Sequence, residues 1–108
     1  KKKDFNLAIS KVYKKMSECK KNWNIYNKAR FVCSLTIYWT SGKYFTVSGY
    51  VNGNISKTKK GKNGFGYDPI FIPEGYNQTF GELDRKIKMS IDHRFNAYNK
   101  LRHYFIPL

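Results

Sequence analysis

Apolar and polar residues change period several times along this chain, and each change predicts an element. Phe5, Ile9, Val12 and Met16 recur at helical spacing behind Asp4, a residue type that caps helices. Lys14, Lys15, Lys20 and Lys21 load the last turns of that segment, where cations suit the negative end of the helix dipole. Residues 20–27 then read as a polar loop, with Trp23 as a packing anchor. From Arg30 the period drops to two. Phe31, Cys33, Leu35, Ile37 and Trp39 face one way, and Val32, Ser34, Thr36 and Tyr38 face the other, as in a half-buried strand. Thr40-Ser41-Gly42-Lys43 supplies a turn and Tyr44 to Val51 a return strand, which makes an antiparallel hairpin. Taken alone, Asn52-Gly53 suggests another tight hairpin.

Farther on, Ile70 to Ile72 form a short apolar strand ended by Pro73 and a Glu74-Gly75 turn. Thr79 with Glu82 three residues on is a capping box, so a short helix is expected to start there. Ile87, Ile91, Phe95, Tyr98, Leu101 and Phe105 fall on one helical stripe, which reads as core packing. Two constructions fit it: one long helix from Glu82, or a break with a fresh start at Asp92. The expected fold class is mixed α/β, an antiparallel hairpin in a mixed sheet flanked by N-terminal and C-terminal helices. At 108 residues the chain suits one domain, 1–108.

Composition narrows the classes. Aromatic residues at 18% and apolar residues at 41% are enough for a core and too many for a disordered tail. Cys19 and Cys33 lack metal-type spacing and read as reduced thiols. No apolar run approaches membrane-spanning length and nothing resembles a signal peptide, so no membrane partner is expected and a cytoplasmic protein is the default. The net charge of +14 attracts polyanions whatever the fold. Yet the basic residues are 17 Lys to 4 Arg, accompanied by ten Asn. Specific phosphate and base readers favour the planar fork of Arg. Charge alone therefore reads as solvated surface, and nucleic acid is not the expected partner.

The run from Gly61 to Tyr76 carries the chemistry. Four glycines, four aromatics and the embedded acid Asp68 make it too irregular for a helix. Clustered glycines let backbone take positive φ and approach a ligand closely. Phe65 and Tyr67 add flat apolar faces, which suits a planar ring such as a nucleobase. Downstream lie Thr79-Phe80-Gly81-Glu82-Leu83, then Lys88-Met89-Ser90-Ile91-Asp92-His93-Arg94, then Ala97 and Leu101. Singly, each residue fits a plain structural role: Asp68 shaping a turn before Pro69, Lys88 solvated, His93 on a surface.

In order and spacing, Asn63-Gly64-Phe65-Gly66-Tyr67-Asp68-Pro69-Ile70-Phe71, Thr79 with Glu82, and Lys88 with His93-Arg94 resemble the C-terminal half of the inosine/xanthosine triphosphate pyrophosphatase family. Weaker likeness extends back to residues 3–8 and 29–33. The resemblance implies half of a larger two-lobed α/β fold. It also implies a hydrolase that converts the deaminated purine nucleotides ITP, dITP and XTP to monophosphate plus pyrophosphate. Phe65 would stack on the base, Gly66, Tyr67 and Asp68 would complete that loop, and Lys88, His93 and Arg94 would read the base. A homodimer is expected at full length. Magnesium is the expected cofactor, with its ligands and the catalytic carboxylates in an N-terminal half unlike anything here. No catalytic or metal-binding residue is expected in this chain, which begins at Lys1 and reads as half of an enzyme, with a separately encoded N-terminal half among the expected partners. The resemblance also favours the break at Asp92, and one bent strand running on to Ile55 with Gly49 and Gly53 as points of close approach. One departure is Asp92, where the family has Ser; its charge could occupy Arg94 or Lys88. The competing readings are an inactive remnant, a split half that needs a partner chain, and a basic RNA-binding module built on Phe65, Tyr67 and Lys57 to Lys62.

Overall fold

The computed structural model describes residues 5–19 and 26–105. The expected cap Asp4, the anchor Trp23 and the lysines at 1–3 and 20–21 lie outside them. In chain order the elements are α1 (Phe5–Glu18), β1 (Lys28–Tyr38), β2 (Tyr44–Ile55), a 3₁₀ turn (Asp68–Ile70), β3 (Phe71–Pro73), α2 (Arg85–Ile91) and α3 (His93–Phe105). The strands form a three-stranded sheet in the order β1-β2-β3. Among the described residues no helix is long and apolar enough to cross a membrane. The chain divides into two compact units: residues up to Ala29 with Gly53–Leu83, and Arg30–Asn52 with the segment from Asp84.

In the first unit, α1 forms on the expected periodicity. Ile9 is buried and Val12 and Met16 are half-buried, whereas Phe5 stays largely exposed. Tyr13 lies on the same side and donates from its hydroxyl to the Ser56 carbonyl at 2.6 Å. Burial pushes its phenol above the usual value, which keeps it a donor. The end of β2 pairs antiparallel with β3, Gly53 opposite Pro73 and Ile55 opposite Phe71. β3 starts one residue later than the apolar run suggests, because Asp68-Pro69-Ile70 winds into the 3₁₀ turn. Ile70, Phe71 and Phe80 are completely buried, and the two phenylalanine rings stack 5.4 Å apart.

The Thr79 capping box is present in full. Thr79 N–H donates to Glu82 Oε1 at 3.0 Å, and Glu82 N–H donates to Thr79 Oγ1 at 3.2 Å. It does not open a helix. The chain makes one turn, closed by Leu83 N–H on the Thr79 carbonyl at 3.0 Å, and α2 begins only at Arg85. Thr79 is tied instead to the Lys60 carbonyl at 2.6 Å, so the box serves to lock a loop.

In the second unit the hairpin follows the predicted alternation. Phe31, Cys33, Leu35 and Ile37 are half-buried and the residues between them exposed, although Trp39 at the end of the strand is exposed as well. Side-chain bonds between Arg30 and Asn52, Ser34 and Ser48, and Thr36 and Thr46 fix one antiparallel register. Within β2, Gly49 is a point of close approach, as expected: a Cβ there would collide with the backbone of Ala97 on α3. Gly53 meets the Ile72 carbonyl in the same way within the first unit. The helix so brought onto β2 also satisfies that strand's backbone, through Asn96 Nδ2 on the Tyr50 carbonyl and Lys100 Nζ on that of Ser48, at 2.8 and 2.7 Å.

The break at Asp92 is real, and it overturns the single apolar stripe. Asp92 has extended backbone, φ −77° and ψ 174°, and its Oδ1 accepts from Phe95 N–H at 2.8 Å, capping α3. An extended residue resets the helical phase, so positions on either side of it no longer share one face. Ile87, Phe95, Tyr98 and Phe105 are exposed, Ile91 and Leu101 half-buried, and the buried positions are Lys88, Asp92 and Ala97. Phe105 still packs edge-on against Phe45 at 5.8 Å between centroids.

Three substitutions at two positions test this packing by thermal melting. Gly49→Ala is expected to destabilise by about 1–3 kcal/mol, because the α3 backbone must move. Asp92→Ala is expected to cost about 1 kcal/mol and Asp92→Ser much less, since serine also caps. An unchanged melting temperature for Gly49→Ala would contradict the close approach.

Candidate functional site

The glycine-rich loop belongs to the first unit and is held at both ends by backbone. Lys60 N–H donates to the Pro69 carbonyl at 2.9 Å, Asn63 N–H to Gly81 at 2.9 Å, and Gly81 N–H to Asp68 at 2.9 Å. Asn63 adds a side-chain bond from Nδ2 to the Leu83 carbonyl at 3.1 Å. The turn at 79–83 is therefore the anvil on which the loop is shaped. Sequence reasoning placed Asn63 in the loop and Thr79 in a capping box but gave no sign of these ties, because their partners are backbone carbonyls about twenty residues away in sequence, which leave no pattern.

Inside the loop one acid sets the conformation. Asp68 is only 3% exposed, and its Oδ2 accepts from Phe65 N–H at 3.0 Å. Gly64 has φ +73°, and a Cβ on it would strike that same Asp68 carboxylate, so glycine is required there on two counts. Asp68 N–H closes the turn on the Phe65 carbonyl at 3.2 Å. Phe65 itself is held out at 57% exposure. Tyr67 sits beside it, its ring edge-on to Phe5 at 5.8 Å, and Gly66 follows the left-handed pattern at φ +65°. The result is a presented aromatic face on a fixed backbone.

Lys88, His93 and Arg94 belong to the second unit. Lys88 lies on α2 and is 8% exposed, an uncommon degree of burial for an ammonium. His93 opens α3, half-buried, with its ring edge-on to Phe31 at 5.1 Å and its Nδ1 buried. Arg94 follows it on the first turn and is exposed. The break at Asp92 sets where His93 and Arg94 start, so the cap and these two positions are linked through backbone. Among the described residues, no group of three or more His, Cys, Asp or Glu side chains could hold a metal ion.

Comparison with known proteins gives the chain a family. The Ham1 family matches residues 1–104. The chain is 39% identical over 100 residues to a dITP/XTP pyrophosphatase of Caulobacter vibrioides, covering 93% of this chain and 50% of that protein. A dITP/XTP pyrophosphatase of Rhodospirillum centenum is 37% identical, with 92% and 48% covered. The solved structure of the Staphylococcus aureus Ham1 protein superposes with a TM-score of 0.83 at 32% identity, over 95% of this chain and 51% of that one. A Coxiella burnetii HAM1 protein gives a TM-score of 0.87 at 28% identity, covering 100% and 54%. The chain belongs to the Ham1 family. It spans about half the length of the curated relatives it matches.

Asp68→Ala tests the loop. Removing the acceptor leaves Phe65 N–H without that partner, expected to cost about 1–3 kcal/mol in a chemical-denaturation experiment. Phe65→Ala, an exposed side chain, is expected to stay within about 0.5 kcal/mol of the parent. Equal stability of Asp68→Ala and the parent would show that the carboxylate does not hold the loop.

Proposed function

We propose that this chain supplies base recognition to a nucleoside triphosphate pyrophosphatase that hydrolyses ITP, dITP and XTP to the monophosphate and pyrophosphate. The observation that carries the reading is the loop of the Ham1 family held on a buried acid with Phe65 presented outward. Relatives named dITP/XTP pyrophosphatase supply the substrate class. Phe65 stacks on the purine, while Gly66 and Tyr67 shape the loop around it. Asp68 acts through the Phe65 backbone. Lys88, His93 and Arg94 contribute donors.

The chemistry follows from the substrate. Hypoxanthine and xanthine carry a 6-keto oxygen, an acceptor, and Lys and Arg offer only donors. Adenine would set its 6-amino donor against those donors. Groups left unpaired in that way cost on the order of 1–3 kcal/mol each, enough to select keto purines. Asp92, the residue that departs from the family pattern, spends one carboxylate oxygen on the α3 cap.

Hydrolysis needs a metal on the phosphates and a carboxylate to orient water. Tight binding of the base alone does not accelerate the chemical step. Turnover is therefore assigned to this half joined with an N-terminal half of the family, and magnesium to ligands contributed by that half.

ITP or XTP is expected to bind the chain about tenfold more tightly than ATP at equal salt, with Phe65→Ala abolishing the difference in a calorimetric titration. Equal affinities that fall together with added salt would defeat the assignment of a base-reading site. The 108-residue chain alone is expected to release no pyrophosphate from ITP with ample magnesium. Fusing the N-terminal half of a Ham1 relative before Lys1 is expected to give turnover. Robust release by the chain alone would overturn this division of labour.

A further inference from the structure

The outer face of the β1/β2 hairpin is a feature that base recognition does not use. Its exposed side chains alternate along both strands: Arg30, Val32, Ser34, Thr36 and Tyr38 on β1, and Tyr44, Thr46, Ser48 and Tyr50 on β2. Tyr38 and Tyr44 are 71% and 69% exposed and stack parallel, 6.4 Å between centroids and 6° between planes. At the other end the Arg30 guanidinium lies 4.4 Å over the ring of Tyr50 and is oriented by Nε donating to Asn52 Oδ1. Lys100 Nζ lies 5.9 Å from the same ring, held by the Ser48 carbonyl. Between the two aromatic stations run the Ser34–Ser48 and Thr36–Thr46 hydroxyl pairs, each 2.8 Å apart. Tyr44 and Tyr50 are six residues apart on one strand, a span of roughly 20 Å. The sequence from residue 28 to 55 contains Lys28, Arg30 and Lys43 and no Asp or Glu.

We propose that this sheet face binds single-stranded nucleic acid, stacking bases at Tyr38/Tyr44 and at Tyr50 while Arg30, Lys43 and Lys100 meet the phosphates. Charge complementarity selects the occupant. An acid-free cationic surface with a net charge of +14 behind it repels a second copy of this chain and attracts a polyanion. Two stations of exposed rings joined by hydroxyl rungs further select a polyanion with π-faces, because bases stack on aromatic side chains whatever their sequence. Backbone charge and side-chain stacking then act on different residues, so they can be separated. The Lys-rich composition by itself does not distinguish this surface from plain solvated charge; the exposed tyrosines on one strand face do.

The test is fluorescence anisotropy of the 108-residue chain with a labelled fifteen-nucleotide (~5 kDa) oligothymidine, a duplex of the same length and heparin as competitor. The expected result is single-strand binding that weakens about tenfold or more in a Tyr38→Ala/Tyr44→Ala double variant and about tenfold in Tyr50→Ala, at unchanged net charge. Tyr38→Phe/Tyr44→Phe is expected to bind like the parent, which separates lost stacking from a disturbed hairpin. Tyr98→Ala, an exposed tyrosine on α3, is expected to change nothing. Affinity that ignores the alanine substitutions, or binds duplex and single strand alike, would reduce the face to nonspecific charge and overturn the proposal. Absence of binding at low salt would overturn it too. None of these outcomes bears on discrimination between ITP and ATP.

Discussion

A buried carboxylate accepting one backbone N–H governs the glycine-rich loop. Asp68 is taken out of water at 3% exposure, which is costly for an acid unless its lone pairs are met by donors. Phe65 N–H supplies one at 3.0 Å. Meeting that donor requires the chain to double back over three residues, and the doubling forces positive φ on Gly64 and Gly66. The same turn leaves the Asp68 carbonyl facing outward from the loop, where Gly81 N–H finds it at 2.9 Å. Phe65, with its N–H and carbonyl both engaged in this turn, carries its ring 57% exposed. Sterically undemanding glycines and one short acid thus do what a larger scaffold would otherwise be needed for.

Where the sequence was legible, a single local rule governed the outcome. Strict alternation in residues 30–38 is enough to fix the hairpin, because a one-residue slip would turn every apolar side chain to solvent. The glycines at 49 and 53 were readable as close approaches only through the family resemblance, because Asn52-Gly53 taken alone points to a tight hairpin. Legibility failed where two rules competed. Thr79 and Glu82 form both capping-box bonds, yet the helix they should open is replaced by a tie from Thr79 to the Lys60 carbonyl. A cap satisfies orphan donors; it does not decide whether the next residues continue as helix. The stripe from Ile87 to Phe105 failed for another reason, since periodicity counted across the extended residue Asp92 adds two helices of different phase.

The residues of the loop were legible and their ties were not. The stacking role of Phe65 came from the family resemblance, its neighbours suggesting no more than a flat apolar face, and the loop leaves its ring 57% exposed. Asp68 read as completing a base-binding loop, whereas its Oδ2 is committed to Phe65 within the loop. The difference lies in burial, which depends on the turn at residues 79–83 folding back to reach Asn63 and Asp68. No window of sequence around Asp68 contains that turn.

Asp92 shows how a carboxylate can serve a cap that a hydroxyl could also make. Serine and aspartate cap helices about equally well, and the Oδ1 bond to Phe95 N–H at 2.8 Å is the bond either would make. Aspartate adds a full charge at the positive end of the α3 dipole, which is favourable there. Arg94, one residue into the same helix, is a cation in the place the dipole disfavours, and an anion at the cap offsets that penalty. The carboxylate is therefore coherent with this helix start. It keeps the backbone position of His93 and Arg94 set by the cap, and it moves the local charge balance towards neutrality at the turn where two base-reading side chains are proposed to act.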